Sequence, residues 1–420
     1  MNSSPKNGRA FFPAILCFAI FLFIGFRVVS QGVESLSQVL PNLPAPTFYH
    51  TAAWLGDDLF VQMPTAEGRG STRMVSYDGK GTWKEQAPCK YSATGAAMVA
   101  CSGKLYLIGG GSADVAQGTD RLQIYDPVSK QWSVGPPMPV RLSGHAAVNW
   151  GDSVIFVIGG PWSESAYSRD VYFYLPKEKT WGVIPESLPA GTGRRSFACG
   201  ITDQGQIIIT GGYNGEALQS TLVGTIEATD RIVWREATPA PLALNRCGGA
   251  ACDNVFLLVG GEIGNTSKKN DRVFCYDPST DQWTQLGPSG LFSNANVSNA
   301  ITARQSQGRI DLYLAGGYST AGKASDQFFV LNLKEQEIQM GSIPEKNQVS
   351  VFPVPFEDQV TFNNLEQGEL RICDLEGKLW FSQQISDSSL QLDLSHLPSG
   401  MYFATLVTER GANVIRLIKE

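Results

Sequence analysis

Apolar and polar positions alternate along this chain in short bursts, and five of those bursts end in the same way. The runs LYLIGG, VIFVIGG, IIITGG, FLLVGG and LYLAGG close on the diglycines Gly109-Gly110, Gly159-Gly160, Gly211-Gly212, Gly260-Gly261 and Gly316-Gly317, spaced 50, 52, 49 and 56 residues apart. Short apolar runs bounded by glycine predict buried strands, and a recurrence near fifty residues predicts a repeat architecture. A second marker keeps the same period: Trp83, Trp132, Trp181, Trp234 and Trp283 stand 49, 49, 53 and 49 residues apart. The phrases YDPVSKQW from Tyr125 and YDPSTDQW from Tyr276 place an Asp-Pro turn between two alternating, half-buried strands. One unit then reads as strand a of small residues, strand b ending in Gly-Gly, strand c, and strand d carrying the Trp.

The five diglycines, the Tyr125-Asp126 and Tyr276-Asp277 pairs and the five spaced Trp residues resemble the kelch-repeat family over roughly residues 35 to 340. The resemblance implies a β-propeller whose blades are four-stranded antiparallel sheets. Residues 47 to 88 carry LGDDLFVQMP where a diglycine is expected, but YDGKGTW from Tyr77 restores the register, giving a degenerate first blade. In the last unit Ile338 stands where Trp is expected, after Gly316-Gly317 and FFVLNL from Phe328. Six blades follow. Ring closure removes exposed sheet edges, and two segments compete to complete the sixth blade: SLSQVLPNLP from Ser35 and EIQMGSIP from Glu337.

The two ends read differently. Lys6 and Arg9 precede an apolar run from Ala10 to Phe26, with Val28 and Ser30 suited to cleavage before Gln31. Residues 1–30 are therefore expected to be a signal peptide; an uncleaved anchor is the competing reading, since 17 apolar residues are marginally long enough to span a bilayer. After cleavage no stable membrane span is expected. From Val349 the repeat register is lost, and alternation broken by Glu376-Gly377 and Pro398-Ser399-Gly400 predicts six or seven short strands in a small sandwich. Phe352-Pro353-Val354-Pro355-Phe356, Asp374 to Lys378 and Leu392 to Phe403 resemble the type A carboxyl-terminal sorting domain of the type IX secretion system of Bacteroidetes-like bacteria. That resemblance implies delivery to the cell surface or medium, with the secretion machinery as partner through residues 349–420. The expected organisation is all-β: signal peptide 1–30, six-bladed kelch-type β-propeller 31–345, and a small β-sandwich sorting domain 346–420.

Composition changes this picture little. Glycine is plentiful at 44 residues and charged residues make up only 17%, as many short strands and tight turns require. The net charge of −6, with no basic run, excludes nucleic acid as an expected partner. Beyond the signal lie Cys89, Cys101, Cys199, Cys247, Cys252, Cys275 and Cys373, an odd number that leaves at least one unpaired. Cys101 and Cys252 end strand a of their repeats, where buried thiols are expected. No spacing supports a metal site or cofactor.

Chemistry is expected on the face shared by the loops entering strand a and the loops from b to c. That face collects His50, Arg141, His145, Arg194, Arg195, Asn245 and Arg246 from the first set, and Trp162, Glu164, Tyr213, Asn214, Glu216, Glu262, Lys268, Lys269 and Tyr318 from the second. His50 and His145 hold equivalent repeat positions, which makes them repeat residues rather than half of the two-His, two-Tyr set of kelch-type copper oxidases. Among the propeller Trp residues Trp162 alone belongs neither to the spaced five nor to the matched pair Trp54 and Trp150, and it suits stacking on a sugar or protein side chain. Gly261-Glu262 with Lys268 is similar to the loop that kelch-type sialic acid mutarotases use for acid–base work, which implies Glu262, Arg194 and Arg195 as catalytic candidates. No nucleophile elbow, phosphate loop or HExxH is present. The leading expectation is a glycan- or protein-binding module using Trp162, Glu262, Arg141, Arg195 and Tyr213; the alternative is a mutarotase-like carbohydrate-active enzyme.

Overall fold

The computed structural model describes residues 40–419 apart from 66–70, 112–117, 161, 164–165, 287–299, 307–308, 320–321, 335–349, 353–355, 364, 366, 375–377 and 409–410. Every regular element among the described residues is a strand. Blade 1 consists of strands a to d at Thr51–Leu55, Asp58–Gln62, Met74–Tyr77 and Trp83–Glu85. Blade 2 follows at Ala97–Cys101, Lys104–Ile108, Leu122–Asp126 and Gln131–Val134. Blade 3 uses Ala146–Trp150, Val154–Ile158, Val171–Leu175 and Thr180–Ile184. Blade 4 uses Ala198–Ile201, Gln206–Thr210, Thr221–Ala228 and Arg231–Ala237. Blade 5 uses Gly248–Cys252, Val255–Val259, Val273–Asp277 and Gln282–Leu286. Blade 6 shows three strands, Ala300–Ser306, Arg309–Ala315 and Phe328–Lys334. Blades 1 to 5 are antiparallel meanders in the order a-b-c-d, and the described part of blade 6 follows the order a-b-c.

Each strand has the composition its place demands. Strand b is covered by a neighbouring blade on both faces, so all five residues of Val154–Ile158 are buried and the sequence there is continuously apolar. Strand a lies nearest the axis, where the blades crowd together: a Cβ on Gly200 would come within 2.6 Å of the Ala251 amide in the next blade. Small residues are the consequence. The diglycines combine positive φ with close approach. At Gly160 (φ 95°) a Cβ would lie 2.7 Å from the Cβ of His145, a conformation and a distance open only to glycine.

Six hydrophobic clusters separate the blades, and the sixth joins the ends of the ring. Leu59, Val61, Val75 and Tyr77 of blade 1 pack there with Ala300, Ala315, Phe328 and Val330 of blade 6, together with Leu40 and Leu43. The strands a also adjoin one another around the full circle, including blade 6 against blade 1. The molecule therefore forms a closed six-bladed propeller.

Leu40–Thr47 shows how the seam is made. Leu40, Leu43 and Thr47 donate backbone bonds to Phe328, Asp326 and Ser325, just as Gly135, Met138 and Leu142 donate to Leu122, Asp120 and Thr119 in blade 2. The amino-terminal segment thus occupies, beside strand c of blade 6, the place that follows strand d elsewhere. Of the two competing segments, the residues preceding Leu40 and all of 337–344 lie outside the described residues, as do the expected signal peptide and Ile338.

The carboxyl-terminal region forms two sheets. Ser350–Phe352, Gln359–Asn363 and Ser389–Asp393 make the first, and Leu379–Ile385, Gly368–Asp374, Gly400–Thr408 and Gly411–Lys419 the second. Phe356, Phe362, Leu370, Ile372, Leu394 and Tyr402 fill a core of its own. Residues 353–355 and 375–377 of the phrases that suggested a sorting domain lie outside the described residues.

Candidate functional site

The loops entering strand a and those from b to c are stitched together on one face. Thr94 pairs with Gly111 in blade 2, Arg195 with Tyr213 in blade 4, and Asn245 with Glu262 in blade 5. At the residue two places before strand a, each entering loop of blades 1 to 5 turns with positive φ: Tyr49 (56°), Gly95 (67°), Gly144 (70°), Ser196 (54°) and Arg246 (53°). These residues form a chain of backbone bonds around the axis. Gly95 donates to Tyr49, Gly144 to Gly95, Ser196 to Gly144 and Arg246 to Ser196, each at 2.8 to 2.9 Å. A left-handed turn is costly for Tyr and Arg, and this hydrogen-bonded rim holds both in it.

Glu262 sits on that rim between two cations. Lys269 Nζ lies 2.7 Å from one carboxylate oxygen and Arg246 Nη1 3.4 Å from the other. The Lys269 side chain is 7% exposed, whereas that of Arg246 is 41% exposed. The basic partner is therefore Lys269 rather than Lys268, whose backbone carbonyl accepts from Ile263 and whose own amide donates to Thr266 Oγ1. The Arg246 guanidinium lies 5.8 Å from the Tyr49 ring centroid, and the Lys269 ammonium 5.9 Å from that of Tyr318. Phe48 touches both rings, at 4.9 Å from Tyr49 and 5.1 Å from Tyr318.

The remaining candidates divide. Arg195 lies 5.6 Å from the Tyr213 ring and exchanges two backbone bonds with it. Its neighbour Arg194 leaves the face altogether: it is 1% exposed and donates to the carbonyls of Thr192, Gly211 and Ser220 and to the Ser220 hydroxyl. Burial lowers its pKa to about 10. Arg194 braces the b-to-c loop and is removed from the set that can touch a ligand. Arg141 is exposed on the loop entering blade 3. Trp162 begins a two-residue strand paired with Ala166–Tyr167; its side chain and Glu164 lie outside the described residues. Phe48 and Tyr49 are site residues that the sequence reading missed. The signal for Tyr49 was the repeat position itself, where blades 2 and 3 place Gly95 and Gly144.

His50 and His145 belong to the packing. Each presses on a diglycine, Gly316 and Gly109 respectively, and burial lowers both pKa values to about 4. All seven described cysteines are free thiols. Burial pushes Cys101 and Cys252 up to about 11 and Cys89, Cys199 and Cys275 up to about 12. Among the described residues no group of three or more His, Cys, Asp or Glu could hold a metal ion, and no helix is long and apolar enough to cross a membrane.

Comparison with known proteins agrees with this architecture. The profile of the KLHDC2/KLHL20/DRC7 Kelch-repeats domain matches residues 80–240, and that of the Kelch motif matches residues 243–290. Kelch-like protein 35 of Mus musculus is 28% identical over 244 residues, covering 58% of this chain and 40% of that protein. Kelch-like protein terF of Aspergillus terreus is 27% identical over 309 residues, covering 64% of this chain and 65% of that protein. The chain thus spans less than two thirds of either relative. The solved structure of YjhT superposes with a TM-score of 0.59 at 14% identity, over 70% of this chain and 97% of that one, a likeness of fold alone. Residues 350–420 match the secretion system C-terminal sorting domain, which indicates export to the cell surface or medium. The chain carries kelch-repeat domains in a six-bladed propeller, followed by a type IX C-terminal sorting domain.

Proposed function

We propose that this is an exported binding module whose propeller engages a glycan or an extracellular protein through the loop face. The observation that carries the reading is the rim itself: Tyr49, Arg246, Glu262, Lys269, Tyr318, Arg195 and Tyr213 place aromatic rings beside cations on loops fixed to a closed ring of sheets. Half-exposed aromatic and Arg side chains on a rigid support make strong contacts at little conformational cost. The experiment is an array of glycans and purified extracellular proteins probed with the full chain. Arg195→Ala and Tyr213→Ala are expected to lower the signal at least about tenfold, the loss of one well-made charged or aromatic contact. Binding unaltered by either substitution places the ligand elsewhere and ends this reading.

The Glu262 carboxylate on the rim favours a second reading, a mutarotase-like activity in which Glu262 takes a proton from the anomeric hydroxyl. Its check is sugar-anomer interconversion followed by NMR exchange. Loss of catalysed exchange in Glu262→Gln supports it, and the absence of catalysis by the unaltered chain disposes of it.

A further inference from the structure

Six side chains on the loop face touch one another in a closed circuit. From Tyr49 the contacts run to Phe48, Tyr318, Lys269, Glu262 and Arg246, and from Arg246 back to Tyr49. The three aromatic residues come from the loops of blades 1 and 6. The three charged residues all come from blade 5. Two cations face one carboxylate, so the circuit carries an excess positive charge in a protein whose net charge is −6.

Two of these side chains stand on constrained backbone, as does Ser196 at the same repeat position of blade 4. Tyr49 and Arg246 adopt left-handed φ at a position where blades 2 and 3 use glycine. Such strain persists only where the surroundings enforce it, and it gathers at binding sites. Lys269, at 7% exposure, is committed to Glu262 and acts as a positioning residue. Arg246 is not so committed: it is 41% exposed and holds Glu262 only at 3.4 Å, which leaves most of its planar donor fork for a second carboxylate.

We infer that this circuit is a subsite for a carboxylated pyranose, a sugar unit of the hexuronic acid class; the inference rests on the binding-face reading above. The sugar carboxylate lies on Arg246, its hydroxyls donate to Glu262, and the C–H face of the ring lies against Tyr49 and Tyr318. An acidic peptide supplies the carboxylate but lacks the hydroxyls that Glu262 accepts from. A neutral sugar satisfies Glu262 but leaves the Arg246 fork without an anion.

The test is a calorimetric titration of the full chain with trigalacturonate and with its methyl-esterified form, which has the same rings without the charge. The acid is expected to bind at least about tenfold tighter, the worth of a hydrogen-bonded charge pair, with the preference shrinking as salt rises. Arg246→Asn, a residue at ease with left-handed φ, removes the preference of the acid over the ester. Tyr49→Asn weakens both forms. Thermal unfolding of each variant checks the fold, and the acid-to-ester comparison on the unaltered chain needs no variant. Equal binding of acid and ester, binding of neither, or a preference that survives Arg246→Asn overturns the inference. Array signals from neutral glycans or proteins that fall with Arg195→Ala leave the binding-face reading standing in those cases; an array with no signal removes that reading as well.

Discussion

At the scale of single residues, one position of the repeat carries His50, Ala96, His145, Phe197 or Cys247, whichever fills the space behind the neighbouring diglycines. Three of these are titratable and buried, and two of them, the histidines, change charge in the acid range. His50 and His145 have pKa values lowered from 6.5 to about 4 by burial, so both are neutral in the folded chain at pH 7. The unfolded chain binds their protons first as the pH falls. Their stabilising effect is therefore complete above about pH 6.5, is lost between about 6.5 and 4, and changes no further below that range. Each can account for a loss on the order of 3 kcal/mol. His145→Phe, which copies blade 4, is expected to flatten that part of the stability curve in urea titrations between pH 7 and 4.5. A slope unchanged by the substitution assigns the acid sensitivity to other groups. The equivalence of the two histidines was legible from the repeat; the opposite fates of Arg194 and Arg195 were not. Adjacent residues leave the backbone on opposite sides, and only the loop conformation tells which one turns inward.

At the scale of elements, the periodic Trp acts as a latch between blades. Trp132, Trp181 and Trp283 donate from Nε1 to the carbonyls of Ala87, Pro136 and Thr238 in the segment leaving the previous blade, at 2.9 Å in each case. Trp83 donates to Pro41 at 2.8 Å. That bond makes residues 40–47 the exit segment of blade 6, which the sequence left open between two candidates because the pairing partners are almost three hundred residues apart. Tyr77, Tyr125, Tyr174 and Tyr276 pack on the Trp of their own blade. In blade 4 the corresponding place is Gly224, where a Cβ would meet the Trp234 ring at 2.8 Å. Trp83→Phe keeps the ring and removes the donor, at an expected cost of about 1 kcal/mol read from the urea midpoint. Because this latch holds the amino-terminal segment, limited proteolysis should then cut before Thr47. Trp283→Phe should lose comparable stability without that cut. Equal protease patterns in the two variants contradict the assignment of the seam.

At the scale of the whole molecule, the period near fifty residues announced six blades, and six inter-blade cores close the ring through local packing that each repeat encodes for itself. The circuit of Tyr49, Phe48, Tyr318, Lys269, Glu262 and Arg246 was harder to read, since its members come from loops of blades 5, 6 and 1 and no single repeat contains them. The carboxyl-terminal region is a separate case, legible from phrase order because its role as an address depends on a local text. Its core of Phe356, Phe362, Leu370, Ile372 and Tyr402 contains no propeller residue, so the propeller does not need it in order to fold. Removal of residues 350–420 should therefore leave the thermal transition of the propeller in place. In a host with a type IX secretion system, the same deletion should abolish surface display and release to the medium, with folded protein retained inside the cell. The two readouts separate the explanations: loss of the thermal transition makes the tail a stability element, whereas undiminished export of a folded, truncated chain means that residues 350–420 do not act as the address.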